Sequence, residues 1–266
     1  AAAASGGRSD LQRAYADQLR QRVLEPIGMT RTTLDFDLVR SDPNAATPHG
    51  ASLDFAYVPI SLDLEATLLP VAPAGAHWST VNGMARFLIT QSQLGITPGG
   101  QRVVSETNLL ETWKPHVAVD AETSYGLGWL VGSYKGVKMI FHGGATLGFS
   151  SDLAFLPDVG LGIVVLANGQ GANLLTEGLR YRLLELVYDQ PAEFEEILRY
   201  VEEQGAKAQE ELHAQRADTI DITSVRPYLG QYVNEALGEI TLSLAGDALV
   251  LDAGEFRTAL RALKAS

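Results

Sequence analysis

The sequence predicts an α+β fold of the α/β sandwich type, in which an antiparallel sheet is flanked by helices and followed by a small β module. Four β-rich runs lie between Tyr125 and Asn168, and only short turn sequences separate them. Short connections join antiparallel neighbours, because a parallel pair needs a longer crossover. Helical apolar spacing occurs on both sides of this group, and three more β-rich runs follow Thr223.

A helix is the first element predicted in chain order. From Leu11 to Val23 an apolar residue recurs at every fourth position, which places these side chains on one helical face. Pro26 and Gly28 then end the helix, because both residue types are typical of helix boundaries. Residues 30–73 show no sustained period and predict a long connecting region that crosses the surface.

Two further helices are predicted before the sheet. Ser79 or Thr80 caps the first, because a short hydroxyl side chain accepts hydrogen bonds from the free amides of a first turn. The second begins after Ser105 and ends near Pro115. A capping role accounts for the hydroxyls at 79 and 80, so we assign them no chemistry.

The sheet itself is predicted from four runs, and two helices follow it. The runs are YGLGWLVGSY, VKMIFHG, SDLAFLP and LGIVVLAN, with the turn sequences YKG, GGATLG and PDVG between them. Leucines at 175, 179, 183 and 186 predict a helix whose apolar face covers the sheet. A glutamate-rich stretch that ends at Arg216 predicts a second helix with a solvated face.

The chain is predicted to contain two domains, residues 1–216 and residues 217–266. The composition changes after Thr223, where PYLGQYVN, EITLSLAG and ALVLDAG predict three short strands separated by glycine-containing turns. We therefore expect the second domain to be a separate small β module.

Composition excludes several classes of function. The net charge is -12 and no basic cluster lies beside exposed aromatic residues, so nucleic acid is not an expected partner. The chain has no cysteine, which excludes disulfides and thiolate metal ligands. The metal-binding spacing H-E-x-x-H is also absent. We predict neither a metal site nor a cofactor.

Three sequence blocks carry a resemblance to a known family. They are RVLEPIGMTRTTL, PAGAHWSTVNGMARFL, and YGLGW followed by HGGATLGFSSDLAFLPDVGLGIVVLAN. In this order and spacing they resemble the serine β-lactamase and penicillin-binding-protein family, which includes class C β-lactamases, DD-peptidases and esterases. The resemblance covers Leu11 to Leu186. It implies the C-terminal half of a β-lactamase/transpeptidase-like catalytic domain, followed by the start of a lipocalin-like β module.

The resemblance also implies a set of site residues. In that family a Ser-x-x-Lys nucleophile, a tyrosine or serine motif and a Lys-Thr-Gly-like strand act together. His142, Gly143 and Gly144 resemble the third motif, with histidine where lysine is usual. The resemblance implies that the two glycines let substrate lie against the strand and that the Ala145 N–H supplies half of an oxyanion hole. Asn168 is expected to line the same cleft.

The nucleophile is expected to lie outside this chain. No serine is followed by lysine three residues later, and we expect both Ser-x-x-Lys and Tyr-x-Asn to be missing. The segment that carries them would precede Ala1, so residues 1–266 alone are predicted to be inactive. Expected partners are a small-molecule or peptide substrate and a complementing N-terminal half or a second copy. An extracytoplasmic location is implied by the resemblance alone.

Two alternatives remain open at this point. The same cleft could hold a peptidoglycan fragment or peptide without chemistry, which would make the protein a noncatalytic binding or regulatory protein. His142 could also be a hydrogen-bonded structural histidine at a strand end.

Overall fold

The computed structural model describes residues 8–52, 56–217, 219–235, 238–254 and 257–264. They form two compact units, one of residues up to Ser52 together with Tyr57–Phe194, and one of Ala56 together with the residues from Glu195 onward. Helices and antiparallel strands are both present in the first unit, so the predicted α+β fold is confirmed. The assignment of two domains that meet after Arg216 stays a prediction, as does the lipocalin-like character of the second.

Helices and short strands precede the main sheet in the first unit. The first helix, α1 (Arg8–Leu19), continues through a π-helical turn, Arg20–Leu24, and a short α-helical turn, Glu25–Ile27, and ends at Gly28 with φ of 82° in the left-handed region. Thr80 rather than Ser79 accepts the capping bond, from the Gly83 amide. The elements are α1 (Arg8–Leu19), α2 (Phe36–Ser41), β1 (His49–Ala51), β2 (Tyr57–Pro59), a 3-10 helix (Leu62–Val71), α3 (Ala72–Gly75), α4 (Val81–Ser92) and α5 (Glu106–Thr112).

The region 30–73 is therefore more ordered than its sequence predicts. Its elements are short, and two of its helices begin with a side-chain cap: Asp35 accepts from the Asp37 and Leu38 amides, and Ser61 accepts from the Asp63 amide. Elements of this length have too few turns for a hydrophobic period to be detected.

Over the described ranges, the main sheet has six antiparallel strands, and each pairs with the next along the chain. The strands are β3 (Val117–Ala118), β4 (Ser124–Tyr125), β5 (Leu130–Tyr134), β6 (Val137–Ala145), β7 (Ser150–Leu156) and β8 (Leu161–Ala167). Side chains alternate between its faces. Ile140 and Phe155 pack with Leu88 of α4 on one face, and Met139 packs with Leu184 of the following helix on the other.

That following helix, α6 (Asn173–Val187), does cover the sheet, but not with its leucine stripe. Leu175, Leu179 and Leu186 are 49%, 45% and 64% exposed. Arg180 and Leu184 face the sheet instead. The predicted orientation was wrong because a buried ion pair, which the hydrophobic period does not report, orients the helix.

The ion pair joins α6 to the centre of the sheet. Arg180 Nη1 lies 3.0 Å from Asp152 Oδ1 on β7, with side chains 2% and 1% exposed. The guanidinium also lies over the Phe141 ring, 4.6 Å from its centroid. Burial raises the pKa of Asp152 to about 6, although Arg180 opposes the shift and Glu177 adds to it. This pair is therefore both buried and sensitive to pH.

The turn between β6 and β7 packs against the segment before β1. A Cβ added at Gly148 would lie 2.2 Å from the Cβ of Pro48, whose side chain is fully buried. We expect Gly148→Ala to lower the free energy of unfolding by about 1–3 kcal/mol, because the methyl group must displace well-packed atoms. Urea unfolding measures this. Gly75→Ala is the control, since an added Cβ there meets no atom within 4 Å. Equal stability of the two variants would contradict the packing described here.

The second unit contains helices and a small sheet. Among its described residues, four antiparallel strands form a meander, one more than the three predicted, because β12 is only three residues long. Its elements are α7 (Glu193–Gln215), which starts just before the unit boundary, α8 (Ile222–Val225), a 3-10 turn (Arg226–Tyr228), β9 (Gly230–Asn234), β10 (Gly238–Ala245), β11 (Ala248–Asp252) and β12 (Arg257–Ala259). Across the described residues of the whole chain, no helix has the length and apolar character of a membrane span.

Candidate functional site

The predicted motif lies at the end of β6. His142, Gly143 and Gly144 are inside the strand and Ala145 is its last residue. On one side β7 pairs with β6 as far as Ala145, but on the other side β5 pairs only as far as Phe141. In the part of the chain that the structure describes, one edge of the strand end therefore has no ladder partner.

Hydrogen-bond alternation gives the direction of the backbone groups at this edge. The Thr146 amide donates to the Phe149 carbonyl at 2.9 Å, which continues the ladder between β6 and β7. In an antiparallel ladder, alternate residues direct both backbone groups toward the same neighbour. The N–H of Ala145 and the C=O of Gly143 therefore point away from β7, toward the open edge. This is the direction that the predicted oxyanion role requires.

The His142 imidazole lies at the same edge, held by two hydrogen bonds. Its Nδ1 lies 2.6 Å from the Gly143 carbonyl oxygen, and its Nε2 lies 3.1 Å from the Tyr125 hydroxyl. A carbonyl can only accept, so Nδ1 carries a proton. In the neutral ring Nε2 then accepts from the Tyr125 O–H. We assign this tautomer from the network of partners.

Tyr125 was missed as a site residue by sequence reasoning. It lies on β4, and its ring is edge-on to the imidazole with centroids 5.8 Å apart. It opens the YGLGW block that carries the resemblance, which is the one sequence signal that could have found it. Its contact with His142 spans 17 residues and depends on strand order.

The two glycines do not share a face of the sheet. A Cβ at Gly144 would lie 2.6 Å from the Ser151 hydroxyl oxygen, whereas one at Gly143 would face Glu177 of α6 at 3.7 Å. Because successive residues alternate, Gly144 lies on the His142 face and Gly143 on the opposite face. The Ser151 hydroxyl thus occupies the space that a side chain at Gly144 would need, and it is a second polar group on the His142 face that the sequence did not single out.

Asn168 lies just after β8, two strands away from β6. Its Nδ2 donates to the Thr47 carbonyl at 2.8 Å and lies 3.2 Å from Nδ1 of His49. These contacts hold the segment before β1 against the end of β8. The structure gives Asn168 this anchoring role, and its substrate-binding role stays a prediction.

One expected absence was wrong. Tyr232, Val233 and Asn234 spell Tyr-x-Asn, although we expected this pattern to be missing. They lie in β9 of the second unit, where the Tyr232 hydroxyl donates to the Tyr228 carbonyl at 2.7 Å. The occurrence lies beyond the blocks that carry the resemblance, so we assign it no role in the site.

No metal centre accompanies these groups in the described ranges of the chain. There, no cluster of three or more His, Cys, Asp or Glu side chains has the geometry to bind an ion.

The region that contains the three blocks is similar to known proteins. A family model described as Beta-lactamase matches residues 2–188. The Unguisins hydrolase ungD' of Aspergillus campestris is 26% identical over 181 residues, which cover 65% of this chain and 33% of that protein. The octameric penicillin-binding protein homologue from Pyrococcus abyssi superposes with a TM-score of 0.56 and 18% identity, over 95% of this chain and 52% of that one.

A penicillin-binding protein from Bacillus halodurans is similar over 61% of this chain and 49% of its own, with 19% identity and a TM-score of 0.46. The likeness to the Pyrococcus abyssi protein shows the fold alone. The chain spans about a third of the length of the curated relative and about half of the solved structures.

Proposed function

This chain belongs to the Beta-lactamase family, a family of serine hydrolases, and from this premise we propose that the protein it forms part of cleaves an ester or amide through an acyl-enzyme. A serine hydroxyl adds to the substrate carbonyl carbon, and the carbonyl oxygen becomes an oxyanion. Collapse of this intermediate expels the alcohol or amine, and water then releases the acyl group as an acid. The serine is supplied by a segment that is not part of residues 1–266.

The observation that supports this proposal is the open edge at the end of β6. There the Ala145 N–H points away from β7 and is available to a carbonyl oxygen. Backbone donors that are already oriented stabilise the developing charge without reorganising, and one such donor contributes about 3 kcal/mol. The Gly143 carbonyl at the same edge accepts from His142 and fixes the ring beside this position.

His142 suggests which substrates the site accepts. The usual residue at this position, lysine, carries a compact ammonium group that attracts a carboxylate, and histidine replaces it with a ring. Both ring nitrogens of His142 already have partners, the Gly143 carbonyl and the Tyr125 hydroxyl, so the ring offers less to a substrate carboxylate than an ammonium group would. We therefore propose esters or amides without a carboxylate next to the scissile bond, and place less weight on β-lactams and D-Ala-D-Ala peptides. His142 lines the proposed substrate position and holds the Tyr125 hydroxyl beside it.

Covalent labelling tests the proposal. Residues 1–266 should give no adduct with a fluorophosphonate or penicillin probe, because the chain has no Ser-x-x-Lys. The full-length protein should give one adduct per molecule with the fluorophosphonate, measured by intact-mass spectrometry. Heat-unfolded full-length protein is the control for nonspecific labelling.

The labelling results distinguish the hydrolase from a noncatalytic binding protein. An adduct on residues 1–266 would contradict the assignment of the nucleophile to another segment. A folded full-length protein that binds a peptide or peptidoglycan fragment but is never labelled would instead support the noncatalytic binding role.

A further inference from the structure

A buried glutamate from the region 30–73 contacts the turn that follows the site strand. Glu65 lies in the 3-10 helix Leu62–Val71 and is only 5% exposed. Its Oε1 accepts a hydrogen bond from the Gly148 amide at 2.6 Å and from the Thr146 hydroxyl at 3.2 Å. These residues belong to the turn that begins directly after Ala145.

Burial of a carboxylate is unfavourable unless hydrogen bonds or a cation compensate. Among the residues that the structure describes, no Lys, Arg or His forms a salt bridge with Glu65. The Glu65 carboxylate is compensated by hydrogen bonds from the Gly148 amide and the Thr146 hydroxyl. An apolar side chain at residue 65 could not accept these bonds. Glu65 in return supplies an acceptor for the Gly148 amide. The backbone bond inside the turn joins the Thr146 amide to the Phe149 carbonyl and leaves the Gly148 amide without this partner.

The helix that carries Glu65 is itself held in place. Asp63 pairs with Arg40 of α2, and the Leu69 carbonyl accepts from the Gln12 side chain of α1 at 3.0 Å. On the other side of the turn, the Gly148 carbonyl accepts from the His49 amide at 3.3 Å. The turn is thus held by two separate segments, the 3-10 helix through Glu65 and β1 through His49.

We propose that Glu65 is a positioning residue, whose carboxylate fixes the Thr146–Phe149 turn and thereby the direction of the Ala145 N–H. The peptide unit that carries the Ala145 N–H is joined to the turn only through the φ and ψ of Ala145, so a displacement of the turn is transmitted to the donor. A donor must lie within hydrogen-bond distance of the developing oxyanion, and small displacements reduce its effect. The catalytic part of this inference rests on the proposed function.

Amide hydrogen exchange on residues 1–266 tests the structural part without any activity. In Glu65→Ala the Gly148 and Thr146 amides should exchange at least about tenfold faster, because the first loses its acceptor and the second its support. Glu65→Gln retains a carbonyl oxygen as acceptor and should restore most of the protection. Glu106→Ala and Glu106→Gln are the matched controls, since Glu106 is an exposed glutamate on α5, and they should leave exchange at the turn unchanged.

The pattern of exchange decides this part. Faster exchange at Gly148 and Thr146 with unchanged Ile140 and Phe155 amides supports the inference. Unchanged exchange at the turn would overturn it. So would equal acceleration of Ile140 and Phe155, which are fully buried in the sheet, because it would show a loss of global stability alone.

Kinetics of the full-length protein on an activated ester test the catalytic part. Glu65→Ala should lower kcat at least about tenfold while KM changes by less than about twofold, because a misdirected donor affects the transition state most. Glu65→Gln should recover most of kcat. Local exchange changes with an unchanged kcat would overturn the positioning role. A wild type without hydrolysis would contradict the proposed function, and the exchange pattern would then decide the role of Glu65 by itself.

Discussion

Ala145→Pro should lower kcat of the full-length protein about 100- to 1,000-fold, the effect typical of losing one oxyanion-hole donor. Proline has no N–H, so the change removes the proposed donor. The Ala145 N–H points away from β7, and β5 ends its pairing at Phe141, so no bond of either ladder is lost. Proline is tolerated where the amide of a strand edge faces outward. The measurement is steady-state hydrolysis of an activated ester.

Ala145→Val is the matched control, because it keeps the N–H and enlarges an exposed side chain. It should retain kcat within about threefold, and both variants should unfold at similar urea concentrations. Wild-type kcat in Ala145→Pro would show that the oxyanion is stabilised by other groups. Equal losses in both variants would attribute the effect to bulk at the strand end instead of the missing donor.

Arg180→Leu should lower the free energy of unfolding of residues 1–266 by about 3–5 kcal/mol near neutral pH. The change leaves Asp152 buried and without the guanidinium that lies 3.0 Å away, and an uncompensated buried charge is costly. The double variant Arg180→Leu with Asp152→Leu should recover much of the loss, since well-packed apolar residues often replace a buried ion pair at little cost. Urea unfolding measures both. A single variant as stable as wild type would contradict the contribution assigned to this pair.

The same pair predicts how stability depends on pH. Burial raises the pKa of Asp152 to about 6 from an ordinary value of 3.8, so between these values the folded protein binds more protons than the unfolded one. The contribution of Asp152 is therefore fully present below the lower value and is lost as pH rises through the higher one. Arg180 opposes the shift, so Arg180→Leu should show a larger loss between pH 5 and 8. The double variant has no Asp152, so its free energy of unfolding should lack this pH dependence. The difference between the two variants separates the titration of Asp152 from that of other groups.

Some residues of the candidate site could be predicted from the sequence, and others only from the structure. The motif HGGA could be found from sequence because its residues are consecutive and the surrounding blocks are distinctive. Tyr125 could be found only from its place in the YGLGW block, and Glu65 could not be found from sequence. Their contacts with His142 and Gly148 span 17 and 83 residues, and no local pattern encodes a partner at that distance.

By itself the sequence determined the family, four of the six strands in the described main sheet and a hydroxyl cap at residue 79 or 80, because each depends on neighbouring residues within a few positions. Tertiary structure alone decided the orientation of α6, which follows from the pairing of Arg180 with Asp152 rather than from its leucines. It also decided which amides at the end of β6 remain unpaired. Strand register and the length of β5 determine which amides have no ladder partner, and both are properties of the assembled sheet.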